Sequence, residues 1–315
     1  MALGSDVAGS CRLPAMFTGV YGHKPTPFIC SPYGHSPCST DPRWGTFFTT
    51  APMVRYAEDL PFFLNAIREA DGPQNDLLQK VDLNAIKYYY CTSDKSGITT
   101  PLDKDIEKSL LHVANHFNAK EADIKQLKNG LDVSMAAMLT MEFDTIFSKT
   151  EEGEEPKTLG KEFMKKMIGA SDSIFPSIAV RLLQILVRSL PESKHKQLTN
   201  TTTQLKAEFL KILKDDGVLF FPSYPKPANK HFGIFFKLID TVYQMVFNTL
   251  GFPVTQVKTG FSSKKLPIGI QVVTTPGNDH LSMAVAKEIS RIYGGWVEPS
   301  EVDVHLKKLQ DARVC

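Results

Sequence analysis

Short β-branched and aromatic runs alternate with helical patterns along this chain. That alternation restricts it to a layered α/β fold, a mixed sheet covered by helices on both faces. The runs Ile86–Tyr90, Val218–Phe221, 252–255 and a stretch within 267–273 read as strands. Apolar residues recur at helical spacing over 57–67, 100–118, 160–190 with a break near Phe175-Pro176, 203–215, 231–249 and 278–292. Thr100 followed by Pro101 predicts an N-cap and a first-turn proline. Residues 131–150 should give a strand and a helix, and Glu151–Pro156 an acidic surface loop. The segment 25–52, rich in Pro, Ser, Thr and Gly, reads as ordered loop, and the tract Thr199–Thr203 as a cap or loop.

A length of 315 residues allows one large α/β domain or two smaller ones. Lys plus Arg number 36 against 34 Asp plus Glu, and a net charge of +2 gives no reason to expect nucleic acid as a partner. Five scattered cysteines do not build a disulfide scaffold. No uncharged apolar run reaches the roughly 18 residues of a simple bilayer-spanning helix, and the start lacks a signal peptide's basic and apolar regions. His112 and His116 lack the intervening glutamate of a zinc helix, and Cys30 and Cys38 flank His35 without a CxxC pair. Phosphate loops and dinucleotide fingerprints are also missing, so no cofactor or metal is expected.

Within 178–190 the polar residues Arg181, Gln184 and Arg188 form one narrow stripe on an otherwise apolar helix. Such a helix is either buried or set against another apolar surface. Core packing is the first expectation; a lipid-facing or acyl-chain-lining role and a protein interface are the alternatives.

The segment 4–24 has glycines at 4, 9, 19 and 22 and reads as a tight loop entering a short helix. Val7-Ala8-Gly9-Ser10 could place a serine nucleophile beside converging backbone amides, on a buried loop. A serine in a Gly-rich turn is by composition more often structural or a helix cap. Asp6 and Arg12, six apart around the loop, suggest an ion pair that closes it. Lys24 is near in sequence, but the intervening helix and Pro25 argue against it as a base for Ser10.

The stretch GSDVAGSCRLPAMFTGVYGHKPT resembles the core of the amidase-signature family, matching at Gly4, Ser5, Asp6, Ala8, Gly9, Ser10, Arg12, Pro14, Gly19, Gly22, Lys24, Pro25 and Thr26. Residues 51–60, 250–255, 266–273, 278–281 and 294–297 resemble its later segments, in wording nearest to members that cleave long-chain fatty-acid amides. The resemblance implies a Ser–Ser–Lys hydrolase with Ser10 as nucleophile, Val7, Ala8, Gly9 and Ser10 as oxyanion hole, and Ser5, Asp6 and Arg12 shaping the loop. The family's bridging serine and lysine base precede the nucleophile by more residues than stand before Ser10 here. The expectation is therefore a partial amidase domain over 1–315, incomplete on its N-terminal side and catalytically weak by itself. Within it the nucleophile loop would occupy 4–26, a helical insertion roughly 100–215, and a C-terminal strand–helix region 216–298. The substrate would be a long-chain acyl amide, with a membrane surface and a second copy of the chain as further partners. Full-length members of this kind are membrane-associated. The alternative is a catalytically dead protein that binds acyl lipids or an intact homologue.

Overall fold

The computed structural model describes residues 1–35, 38–141, 159–168, 175–230 and 233–298. Its elements are β1 (Ala2–Asp6), α1 (Arg12–Thr18), β2 (Tyr21–Lys24), α2 (Trp44–Phe47), β3 (Thr49–Val54), α3 (Asp59–Ile67), β4 (Lys87–Tyr90), α4 (Lys104–His116), β5 (Lys120–Glu121) and α5 (Gly130–Thr140). They continue as α6 (Leu159–Met167), α7 (Phe175–Arg188), α8 (Glu192–Leu213), β6 (Gly217–Pro222), α9 (Val242–Leu250), β7 (Val254–Phe261), β8 (Pro267–Val273) and α10 (Asp279–Ile292). The eight strands form one sheet in the order β1-β3-β2-β7-β8-β6-β4-β5. β4 pairs in parallel with β5 and β6, and the other pairs are antiparallel, so the sheet is mixed.

Strand β6 shows why helices lie on both faces. Successive side chains of a strand point to opposite sides. Val218 and Phe220 pack with Leu60 and Leu64 of α3, Leu110 and Val113 of α4 and Val285 and Ile289 of α10. Leu219 and Phe221 pack on the other side with Leu205 and Phe209 of α8 and Val246 and Phe247 of α9. All four strand residues are fully buried, which is why the run is continuously apolar rather than alternating.

Several boundaries differ from the sequence reading. β1, β2, β3 and β5 are additional strands. The cap of α4 is Asp103, whose carboxylate accepts from Asp105 N, while Thr100 N donates instead to Asp240 Oδ1 at 2.7 Å. Residues 130–140 are helix, with no strand; residues 142–150 and the acidic run Glu151–Pro156 lie outside the described residues. The Thr199–Thr203 tract is inside α8, because Thr199, Thr201, Thr202 and Thr203 each bond the carbonyl four residues back and so join the helix instead of ending it. Residues 233–241 form a 3-10 segment with non-helical backbone at Lys237, ahead of α9.

The helix expected to be core is turned the other way. In α7 Ile178 and Gln184 are buried, Arg181 bonds Gln184, and Arg188 donates to Leu139 O at 3.3 Å and Met141 O at 2.8 Å. Carbonyls at the end of α5 lack helical partners, and the Arg188 cation meets them. The polar stripe therefore faces the protein. Leu182, Leu183, Ile185 and Leu186 are exposed, as are Met164, Met167 and Ile168 at α6. No described helix is long and apolar enough to cross a membrane.

Candidate active site

The loop 7–11 hangs between edge strand β1 and helix α1, and one carboxylate organises it. Asp6 Oδ1 accepts from Gly9 N at 2.9 Å, and Oδ2 accepts from Cys11 N at 3.4 Å. Arg12 grips both oxygens, Nε to Oδ2 and Nη2 to Oδ1, each at 2.9 Å. The same guanidinium donates to Gln244 O, Gln271 Oε1 and Asn248 Oδ1 at 3.1, 2.7 and 2.6 Å. Asn248 Nδ2 completes the set by donating to Asp6 Oδ1, Asp6 O and Phe47 O. Asp6, Arg12, Gln244, Asn248 and Gln271 are all fully buried. Burial would push the Asp6 carboxyl up, but the Arg12 charge and hydrogen bonds, with Asn248, hold it well below the usual carboxylate range.

Gly9 has φ +98°, and a Cβ there would sit 2.4 Å from Gln244 Cβ. The chain thus turns against α9 in a conformation open to glycine. Ser10 follows on the outside of that turn and is exposed, on a loop expected to be buried. The burial belongs to its neighbours Gly9, Cys11 and Arg12, which fill the space beneath it. Among the described residues no side chain or backbone group bonds Ser10 Oγ. Val7 and Ala8 pack on Trp44, Phe47, Phe48, Met141 and Met245.

The four amides expected of an oxyanion hole differ in their bonding. Gly9 N–H is taken by Asp6, whereas the amides of Val7, Ala8 and Ser10 have no acceptor among the described residues. Ser5 lies in β1 opposite Thr50 and its hydroxyl makes no bond to the loop, so any support it lends is through the strand. Cys11 is no rival nucleophile: its thiol donates to Pro52 O, and burial followed by the Asp6 charge pushes it well up. Lys24 is fully buried and donates to Pro25 O and Phe252 O. Burial, aided by Arg12, brings its ammonium down to about 7.

Gln244, Asn248 and Gln271 had no place in the sequence reading. One signal was available: Gln244 and Asn248 are amides four apart in an otherwise apolar helix, where a buried polar group must find a partner. His112 and His116, the pair at zinc-helix spacing, pack edge-on to Tyr293 and Phe117.

A family model described as Amidase matches residues 1–283. Fatty-acid amide hydrolase 2 of Homo sapiens is 33% identical over 321 residues, covering 96% of this chain and 58% of that protein. A glutamyl-tRNA(Gln) amidotransferase subunit of Campylobacter concisus is 23% identical, covering 93% of this chain and 68% of that protein, so the likeness to the fatty-acid amide hydrolases is the greater. The chain spans 58–59% of the length of the fatty-acid amide hydrolases it matches. Among solved structures, 6-aminohexanoate cyclic dimer hydrolase shares the fold at a TM-score of 0.69 and 16% identity, covering 93% of this chain and 64% of that one.

Proposed function

The chain belongs to the amidase family, and on that premise we propose that it carries the nucleophile region of a hydrolase that breaks C–N bonds, with Ser10 attacking long-chain acyl amides. Ser10 Oγ adds to the amide carbonyl carbon as its proton passes to a base. The carbonyl electron pair moves to oxygen, where the free amides of Val7, Ala8 and Ser10 meet the charge. Its return breaks the C–N bond while the nitrogen takes a proton, leaving an acyl ester on Ser10 that water then cleaves. Gly9 serves this loop through its backbone shape and its bond to Asp6.

The base lies outside the described residues. Ser10 Oγ has no partner there, and Lys24 is spent on two backbone carbonyls. A serine hydroxyl is a weak nucleophile until a base activates it, so the groups among the described residues give slow turnover by themselves. The same unpartnered hydroxyl favours a second reading, an acyl-lipid binder without chemistry. A fluorophosphonate probe and oleamide hydrolysis, each with Ser10→Ala as control, separate the two. The expected result is labelling of the wild-type chain only, with oleamide turnover no faster than in the control. Turnover near about 1 per second, lost in Ser10→Ala, would put the base inside the chain. No labelling of either protein would favour the second reading.

The exposed face of α6 and α7 supports a lipid-borne substrate. Leu182, Ile185 and Leu186 are 49%, 48% and 55% exposed on a helix whose polar side faces inward. An apolar face of this kind gains by entering an acyl boundary. Sedimentation with phosphatidylcholine vesicles should recover the chain. Serine at all three positions should lower the partition coefficient about tenfold or more, at a fraction of the roughly 1.5–3 kcal/mol that full burial of each side chain represents. Equal recovery of both proteins would remove this surface from the proposal.

A further inference from the structure

Two oxygens on the segment that runs into α9 are buried and unpaired. Gln244 is fully buried, and its Nε2 donates to Ser223 O at 2.6 Å, which fixes the amide's orientation and leaves Oε1 without a donor. Asp240 is 2% exposed; its Oδ1 accepts from Thr100 N and its Oδ2 has no donor. No described cation pairs with Asp240: Lys237, nearest in sequence, donates to Asn229 Oδ1. Buried acceptors are rarely left unmatched.

Gln244 ties the segment to the candidate site. Asp240 and Gln244 stand four residues apart where the 3-10 segment runs into α9, about one helical turn. The Gln244 side chain presses on Gly9, the residue next to Ser10. Ser223, which holds Gln244, directly follows β6, and ligands of α/β sheets gather at the carboxyl ends of strands.

We infer that Gln244 Oε1 and Asp240 Oδ2 form a subsite that reads the hydrogens on the substrate's amide nitrogen. The inference rests on the reading of Ser10 as the attacking serine. A primary amide offers one N–H to each oxygen and a secondary amide one N–H to either, and an amine leaving with a proton places positive charge near the Asp240 carboxylate. An ester or a tertiary amide offers no such donor and leaves both acceptors unpaired. The subsite therefore selects primary and secondary amides, because a site built to hydrogen-bond rejects an analogue without the group more strongly than an apolar pocket would.

Binding in a Ser10→Ala background tests this without needing turnover. Decanamide, N,N-dimethyldecanamide and methyl decanoate are titrated calorimetrically. Decanamide should bind at least about tenfold more tightly than either analogue. The preference should fall to within about twofold in Gln244→Met and in the isosteric Asp240→Asn, and persist in Gln244→Glu, which keeps an acceptor. Circular dichroism melts identify folded variants, and if Gln244→Met fails to fold, Asp240→Asn carries the test. Equal binding of the three probes, no binding of any, or a preference untouched by the folded variants would overturn the subsite. Absent turnover in the Ser10 protein with this preference intact would instead count against the hydrolase reading alone.

Discussion

Replacing Arg12 with methionine should cost about 3–5 kcal/mol of folding stability, the loss typical of breaking a buried ion pair from one side. The side chain makes five hydrogen bonds, to Asp6 twice and to Gln244, Gln271 and Asn248. Methionine fills much of the volume and satisfies none of them. Lysine at this position should also fail, since one ammonium does not reproduce the planar fork that grips both Asp6 oxygens. The pH dependence gives a sharper reading. In the wild type the Asp6 pKa is depressed, so its contribution is present above the unfolded value near 4 and fades as pH falls towards the lower folded value. Without Arg12, burial dominates and the carboxyl pKa rises. The folded variant then holds a proton that the unfolded chain has lost, and its stability should increase as pH is lowered from 7 to 5. Urea unfolding at both pH values measures the slope. A variant within about 1 kcal/mol of wild type at pH 7, with an unchanged slope, would show that the five bonds contribute little net.

Gly9→Ala should be nearly as damaging, through geometry instead of charge. The φ of +98° is strained for any residue with a Cβ, at about 1–3 kcal/mol. The new methyl would also meet Gln244 Cβ at 2.4 Å and Cγ at 2.6 Å. Gln244 has no easy retreat, because its amide is held by Ser223 O and its surroundings are fully buried. Overpacking of this sort adds about 1–3 kcal/mol. The loop relaxes by shifting the backbone that carries Ser10, so the fluorophosphonate labelling rate should fall by about tenfold or more even at temperatures where the variant is folded. Labelling at the wild-type rate would mean that the Ser10 position tolerates movement of its neighbour.

How much of this was legible in the chain beforehand depends on where each residue's partners lie. Val218–Phe221 reads as a strand because both of its faces are buried, and apolarity alone records that. β2 is as buried, yet Tyr-Gly-His-Lys does not look it. His23 is satisfied by Thr255 and Asp279, and Lys24 by the carbonyls of Pro25 and Phe252, partners mostly far along the chain. The site divides in the same way. Asp6, Gly9, Ser10 and Arg12 are close enough in sequence to suggest one loop, whereas Gln244, Asn248 and Gln271 reach Arg12 from 232 to 259 residues away. The pattern of α7 was readable as one polar stripe on an apolar helix. Which side would face the protein was not, because that is decided by the unsatisfied carbonyls at the end of α5.

The strand order also dictates a sequence of events during synthesis. β1, β2 and β3 are complete once residue 54 has been made, but β2 takes its second neighbour from β7, in the register Gly22–Gln256. At about 5–20 residues per second, the ribosome needs roughly 10–40 seconds to bring β7 out. Through that interval β2 offers an unpaired edge to whatever polypeptide is near, and Arg12 waits without Gln244, Asn248 and Gln271. The nascent β1–β3 unit is therefore a natural client for a chaperone, and a ribosome that stalls before residue 254 leaves a chain with an open sheet and an Asp6–Arg12 pair that lacks its amide partners.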